Sequence, residues 1–472
     1  MGKRSLVLVP LLAVAFAAGC GGGGGGGGGA SADAASIVPS DAQVFATIDT
    51  DQGSDQLTSA QSVLDKFPIK QKLEAKLVQS ATKNGINFQQ IVSTVGPVLD
   101  VAVLKTGTTT GVVGFARPSD EQAFDAQLKK MVHTTVSGWT VFAQTQALLD
   151  AVTSSKSNLG DDATYKTAIG SIPGTGDAIV RIYAPGSALK TATSIVGSTG
   201  AGGSLKALTQ GSIPDWITGA LTSAKGSSFK LELHVKEPSG VPTTGASLAD
   251  DIPSGVLAAL SISGGSLKAL PAGTEAQLGS LTQSLGIDVQ ALVGILNGPV
   301  ILYVTQGTPI PEVTLAAKPP DAAGASAAIR GLVTKLVLKN GGSIKKVTIG
   351  GVELNSVAVG PILLYWGTFN GELVVTNNPS ALSSLKNGPS SKLTDDSTFK
   401  DAADSAGLQD GDQGFLYLDL KDTLPLVEGI ATLASQQVPP SIQRNLAPLK
   451  TLLAYADREG QVQSAVLQLQ TN

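Results

Sequence analysis

The residue with the most distinctive chemistry is Cys20, the only cysteine in a chain of 472 residues. It directly follows small residues at the end of an apolar run over residues 6–18, which begins just after two basic residues. A charged start, a short apolar segment and small residues before a cleavage point are the layout of a secretory signal. Because the run is too short to span a bilayer stably, residues 1–19 are predicted to be a signal peptide.

The segment Ala17-Ala18-Gly19-Cys20 resembles a bacterial lipobox, in which the thiol is acylated with diacylglycerol and the cysteine becomes the new N-terminus. It departs from the usual pattern at Ala17, where leucine is common. Two or more acyl chains, palmitate among them, would make a stable anchor. We therefore expect an exported protein held by lipidated Cys20 at the outer face of a bacterial membrane. The alternative is an ordinary secreted protein with a chance cysteine.

A run of nine glycines, Gly21 to Gly29, follows the cysteine. It lacks the lysine and hydroxyl residue that a phosphate-binding loop needs. Residues 20–35 are predicted to be a flexible tether with a root-mean-square span of about 20–23 Å. Such a tether would let a folded body stand clear of the membrane.

The two histidines are the next candidates for chemistry. A helical wheel places His133 on the solvent side of a predicted helix, and alternation places His234 on the polar side of a predicted strand. Both are therefore predicted to be solvated, and neither has a partner close in sequence. A Ser-His-Asp site and a zinc site are poorly supported, so no catalytic residue, metal ligand or cofactor is predicted.

Several groups of carboxylates could bind calcium or exchange protons, and each has a simpler structural explanation. Residues 49–55 carry alternating acids but place a glycine where the EF-hand pattern needs an acid, which favours a turn and a helix start. The pairs Asp161-Asp162 and Asp395-Asp396 precede helices and are predicted to be N-caps. Residues 410–414 are predicted to form a turn before a strand.

Charge and composition exclude several function classes. A net charge of −4 argues against nucleic acid, and no run of basic residues predicts a second contact with anionic lipid. Aromatic residues, at 4 %, are too sparse for surfaces that stack sugars or single strands. Trp139, Trp216 and Trp366 are predicted to anchor the core, and Tyr365-Trp366 is the first place to look for an exposed patch.

The exported part must fold without disulfides, because acylation of Cys20 leaves no thiol. Hydrophobic residues, at 42 %, are sufficient to stabilise it by burial. No segment beyond the signal reaches 18 consecutive apolar residues, so no internal transmembrane helix is expected.

Short segments of the first half recur in the same order in the second half. The numbering offset between matched positions varies from 201 to 234, as duplicated domains with insertions would show. The matched pairs are Pro39 and Pro253, Gly85 and Gly286, Pro118 and Pro319, and Asp161 and Asp395. The sequence therefore predicts two homologous units, residues 36–245 and 246–472.

The hydrophobic pattern predicts that each unit is α+β, with a mostly antiparallel sheet and helices packed on one face. In the first unit, a helix is predicted from Asp120 through His133. Residues 229–236 alternate, which predicts a strand with Phe229 to Val235 facing a core and the charged residues facing water. Whether the two units form one continuous sheet stays open.

Residues 38–42, Val38-Pro39-Ser40-Asp41-Ala42, precede an apolar strand at Phe45–Asp49 and a helix that ends at Phe67-Pro68. This arrangement resembles a family of bacterial exported proteins that is catalogued only as a domain of unknown function. The resemblance covers most of residues 36–472. It implies an envelope location and an α+β fold, and it supplies no functional residues.

The sequence thus predicts a lipid-anchored, extracytoplasmic, non-enzymatic protein that binds a ligand or partner in the cell envelope. One alternative is a carrier of lipid or another hydrophobic molecule, which requires an apolar cavity. A second is a scaffold or interaction protein, which requires an exposed apolar patch. An enzyme would require distant acids to converge in one cleft.

Overall fold

The computed structural model shows an α+β protein built on one large antiparallel sheet, to which the described residues contribute 18 strands. The structure describes residues 33–83, 93–107, 109–128, 131–174, 177–188, 213–224, 227–237, 247–264, 294, 297–308, 310–337, 343–360, 362–409, 414–433 and 438–472. The predicted signal peptide and Cys20 lie outside the described residues.

The strands are β1 (Val44–Asp49), β2 (Val98–Thr106), β3 (Thr109–Ala116), β4 (Val132–Val136), β5 (Trp139–Ala143), β6 (Val180–Pro185), β7 (Trp216–Ala224), β8 (Ser228–Lys236), β9 (Ala258–Ile262), β10 (Val300–Thr305), β11 (Glu312–Ala317), β12 (Lys345–Ile349), β13 (Val352–Val359), β14 (Ile362–Phe369), β15 (Glu372–Thr376), β16 (Gly414–Asp419), β17 (Leu449–Glu459) and β18 (Val462–Thr471). The helices are α1 (Asp55–Leu64), α2 (Lys70–Lys83), α3 (Glu121–Asp125), α4 (Gln146–Thr153), α5 (Ala163–Gly170), α6 (Ala322–Val337), α7 (Pro379–Asn387), α8 (Ser397–Ala406), α9 (Leu420–Leu433) and α10 (Pro440–Leu446).

The strand pairings give the sheet the order β4-β5-β3-β2-β1-β6-β7-β8-β18-β17-β16-β9-β10-β11-β15-β14-β13-β12, with every neighbouring pair antiparallel. Strands from both halves of the chain therefore belong to one sheet, which answers the question that the sequence left open. The two halves meet where β8 pairs with β18 over nine residue pairs.

Helices cover both faces of the sheet, and the expectation of helices on one face is wrong. On the front face, α4 and α5 pack over one half and α7 and α8 over the other. On the back face, α1 and α3 pack over the first half and α6 over the second. The reason is visible in β2, where Val98–Ala102 are all buried. A strand that is buried on both sides needs a layer on each face.

The helix predicted through His133 is also wrong beyond its first turn. Helix α3 ends at Asp125, and His133 lies in β4, which forms a hairpin with β5. The hairpin turn is Ser137-Gly138, with φ of 49° and 78°, and a turn with two positive φ values matches the twist of paired strands. The β-branched residues of β4 favour a strand as well.

Residues 33–35, which the sequence analysis assigned to the tether, are packed against the sheet. Ala34 and Ala35 are buried in the front core. The backbone N–H of Ala34 donates to the Asp100 carboxylate at 2.6 Å, and Asp33 pairs with Arg181 at 2.5 Å.

Candidate functional site

The centre of the back face of the sheet carries a row of apolar side chains that no local sequence pattern predicts. The registers of β8, β18, β17, β16 and β9 place Leu231, Leu467, Ala454, Leu416 and Leu260 directly opposite one another in turn. Residues in direct register on neighbouring strands point to the same face of a sheet. We call these five residues the central leucine surface.

Three of these leucines are exposed to solvent, at 37 % for Leu231, 42 % for Leu467 and 38 % for Leu416. The same row is covered at both ends of the sheet. In the first half it continues through Ile48, which is 1 % exposed and packs with residues of α1. In the second half it reaches Trp366, which is 0 % exposed and packs with α6.

The front face of the same strands is buried and carries polar side chains among the apolar ones of the core. His234, Gln468 and Ser261 are buried there, and so is Thr218 on the adjoining strand β7. The ring nitrogens of His234 lie 3.1 Å from the Ser171 hydroxyl and 3.0 Å from the Glu232 carboxylate. The hydrogen bond from His234 lowers the pKa of Glu232, with help from Lys230 against the opposing effect of burial.

The prediction that His234 is solvated is therefore wrong, whereas the predicted orientation of β8 holds in part. Phe229 packs against the back core as predicted, but Leu231 on the same side is exposed and His234 on the polar side is buried. Alternation shows which residues share a face and does not show which face a neighbouring layer covers. A buried polar side and an exposed apolar side are the informative exceptions to ordinary burial.

The central leucine surface is wide rather than cavity-like. The five strands that form it, with β10 beside them, span about 24 Å at the usual strand spacing. Beneath it, the front core is filled by buried side chains such as Tyr417 and Leu453. Covering the three exposed leucines would contribute about 3 kcal/mol, on the scale of roughly 1 kcal/mol for each. The geometry suits contact with a broad apolar partner surface.

A second unusual cluster lies in the front core of the first half, where two acids converge around one cation. Asp33 accepts hydrogen bonds from Arg181 at 2.5 Å and from the Tyr165 hydroxyl at 3.2 Å. Asp100 is 0 % exposed and lies in the same row as Arg181, with Thr47 of β1 between them. Burial is the main cause that raises the pKa of Asp100 to about 7, and the nearby Asp33 adds to it.

This cluster ties the N-terminal segment to the sheet. Asp33 and Ala34 of the N-terminal segment form hydrogen bonds with residues of β2, β6 and α5. The raised pKa of Asp100 follows from burial, and because its carboxyl has no solvent contact, a substrate could not reach it. The cluster is best explained as a structural latch.

Most other residues that the sequence singled out have structural roles. Asp162 caps α5 and Asp396 caps α8, as predicted. In the acidic loop, Asp49 accepts from Asp51 and Ser54, and Ser54 caps α1, so the predicted turn and helix start are confirmed. Residues 410–413 lie outside the described part of the chain.

Of the two predictions about aromatic residues, the structure confirms the one about the tryptophans. Trp139, Trp216 and Trp366 are buried to 1 %, 1 % and 0 % exposure, so the prediction of core anchors is confirmed. Tyr365 and Trp366 do not themselves form an exposed patch, because Tyr365 packs against the core as well, although Val359 and Leu363 of the same hairpin are exposed. His133 is partly exposed and lies 3.6 Å from Asp125.

Among the described residues, no group of three or more His, Cys, Asp or Glu side chains is arranged to hold a metal ion. In the same part of the chain, no helix is both long and apolar enough to cross a membrane.

No protein-family model and no curated protein matches the chain. Three crystal forms of TP0453 align with it at low similarity. Form III has 11 % identity and a TM-score of 0.25, and the alignment covers 45 % of this chain and 82 % of TP0453. For form I the identity is 11 % and the TM-score 0.25, and the alignment covers 44 % of this chain and 80 % of TP0453. For form IV the identity is 12 % and the TM-score 0.24, and the alignment covers 44 % of this chain and 81 % of TP0453. TM-scores this low support no conclusion about this chain.

Proposed function

We propose that this is a lipid-anchored, extracytoplasmic interaction protein, without enzymatic activity, that binds an apolar partner in the bacterial cell envelope. The observation that carries the proposal is the central leucine surface, with Leu231, Leu416 and Leu467 exposed in the middle of a sheet that is covered at both ends. Exposed apolar surface of this kind marks sites of interaction.

The location rests on the first 35 residues. The signal-like segment and Cys20 favour export and acylation, and the latch attaches Asp33 to the sheet. The glycine run between them would connect body and anchor. The resemblance to the family of exported proteins stays a prediction and points the same way.

The division into units 36–245 and 246–472 is part of the same proposal, and equivalent strand pairings support it. Strand β1 lies between β2 and β6, and β9 lies between β10 and β16. The edge-to-face ring pair Tyr165–Tyr183 has a counterpart in Phe399–Tyr417, at one constant offset of 234 residues. The central leucine surface then lies at the junction of the two units.

Among the alternatives, the structure favours an interaction surface over an enclosed carrier. A carrier needs a cavity between sheet and helices, whereas the front layer is filled by two continuous clusters of buried side chains. The enzyme alternative gains no support, since the converging acids Asp33 and Asp100 lie in the latch.

Site-specific photocrosslinking in the intact envelope tests the proposal. A photoreactive residue at position 467 should give a discrete crosslinked protein, and Leu231→Asp or Leu416→Asp should abolish that product. The matched control places the same photoreactive residue at Val359, which is 48 % exposed and distant in the sheet order. Crosslinks to lipid alone would favour the carrier, and equal products from both positions would refute a specific surface.

A further inference from the structure

Helix α2 is an amphipathic helix whose apolar side is exposed to solvent. Ile69, at the residue before the helix, is 43 % exposed, and Leu73 is 49 % exposed. Because these residues are four apart, they share one side of the helix. We propose that this side of α2, together with α9 and α10, forms a second membrane-binding surface that recognises anionic lipid.

The charges of α2 fit such a partner. The helix carries Lys70, Lys72, Lys76 and Lys83 against the single acid Glu74, in a protein whose net charge is −4. Lys72 and Lys76 are exposed and stand three residues after Ile69 and Leu73, so they flank the apolar side. Basic residues bordering an apolar stripe are typical of helices that lie in a membrane interface.

Helix α10 extends the apolar side of α2. The backbone N–H of Ile69 donates to the Asn445 side chain at 2.7 Å, which fixes the start of α2 against α10. Ile442 lies three residues before Asn445 and therefore on the same side of α10. It is 48 % exposed, so it presents a further large apolar side chain next to Ile69.

Helix α9 supplies the remaining part of the surface, where apolar side chains again lie beside cations of α9 and α10. A groove of about 390 Å³ separates α9 from α10 and is lined by Leu424 and Pro425, with Lys421 and Arg444 as its cations and Glu428 as its acid. Val427, three residues after Leu424, is 49 % exposed. Apolar residues beside cations thus recur on all three helices.

An anionic bilayer satisfies both features at once, which a soluble apolar ligand would not. The four exposed apolar residues would enter the headgroup boundary, and the flanking cations would meet negative headgroups. The inference uses the proposed anchoring only for its setting, since a tether from Cys20 would keep this surface near the membrane. Binding to isolated vesicles does not depend on the anchor.

Vesicle flotation tests the inference with the mature chain from residue 20, carrying Cys20→Ser to remove the acylation site. The protein should bind vesicles of equal phosphatidylglycerol and phosphatidylcholine more tightly than vesicles of phosphatidylcholine alone. Changing Lys72 and Lys76 together to Gln should weaken the partition coefficient about 30-fold. Leu73→Ser should weaken it about tenfold.

Two matched controls separate a specific surface from general charge or hydrophobicity. Lys156→Gln with Lys166→Gln removes the same charge from exposed positions elsewhere, and Val359→Ser removes an equally exposed apolar residue. Both should bind like the unmodified chain. Wild-type partition by the α2 variants, or equal losses in the controls, would overturn the inference. Either result would leave the photocrosslinking test at position 467 unaffected.

Discussion

At the scale of single residues, the raised pKa of Asp100 should make the stability of the protein depend on pH. Burial raises its pKa to about 7, so the native state keeps a proton that the unfolded chain releases near pH 4. The native state therefore binds more protons between about pH 4 and pH 7, and the free energy of unfolding should fall across this range as pH rises. The loss should reach about 4 kcal/mol if Asp100 alone is responsible.

Asp100→Asn should remove this pH dependence and make the protein more stable than the unmodified chain at pH 8. Asparagine is neutral at every pH and keeps an oxygen that can accept from the Ala34 N–H. Urea unfolding at pH 5 and pH 8 measures the difference. Asp404→Asn, at an exposed carboxyl of α8, serves as the control. An unchanged slope in Asp100→Asn would show that the latch does not titrate as described.

The sequence predicted some residue roles well and missed others for a physical reason. Asp162 and Asp396 were predictable as caps because capping depends on a few neighbouring residues. Asp33, Asp100 and Arg181 gave no local signal, since the latch joins residues that are 67 to 148 positions apart. The interaction of His234 with Ser171 was hidden in the same way.

At the scale of elements, the two faces of the central strands should respond differently to truncation. Leu467 of β18 is 42 % exposed on the back face, whereas Leu453 of β17 is 1 % exposed on the front face. Leu453→Ala should lower the free energy of unfolding by about 2–5 kcal/mol, because it leaves a cavity in a packed core. Leu467→Ala should change it by less than about 1 kcal/mol.

Chemical denaturation of the two variants checks this pair. Equal destabilisation would mean that the back face is packed against another layer, and the central leucine surface would not be an open binding site. The comparison is internal, since both changes remove the same atoms from neighbouring strands.

The sequence predicted several helices and strands, but it did not predict where helix α3 ends or which residues surround the exposed side of α2. The strand predicted at Phe45–Asp49 is β1, and the strand predicted over residues 229–236 is β8. Helix α3 was extended too far because Phe124 and Leu128 fit a helical period, and the turn at Ser137-Gly138 was not recognised. The lysines of α2 were overlooked because they are spaced along a helix rather than consecutive.

At the scale of the whole molecule, the β8–β18 ladder should make the two halves unfold together. Its nine residue pairs join strands whose partners, such as Leu231 and Leu467, are 236 positions apart. No local pattern predicts a contact over that distance, which explains why the sequence left a continuous sheet open. Joining the halves also removes β8 and β18 as free sheet edges, which would otherwise invite aggregation.

Tryptophan fluorescence can test this cooperativity. Trp139 and Trp216 report on the first half and Trp366 on the second. In a variant with Trp139→Phe and Trp216→Phe, fluorescence from Trp366 should follow the same urea transition as circular dichroism of the whole chain. Two separate midpoints would show that the halves are independent domains.

In the envelope of intact cells, a partner should cover Leu467 on the central leucine surface. If Cys20 is acylated, Leu467→Cys gives the full-length protein one free thiol, and its maleimide labelling rate measures exposure directly. We predict that Leu467→Cys labels slowly in intact cells and fast in the purified protein. The control variant, Val359→Cys, should label equally fast in cells and in purified form. Equally fast labelling of Leu467→Cys in cells and in purified form would contradict a partner on the central leucine surface.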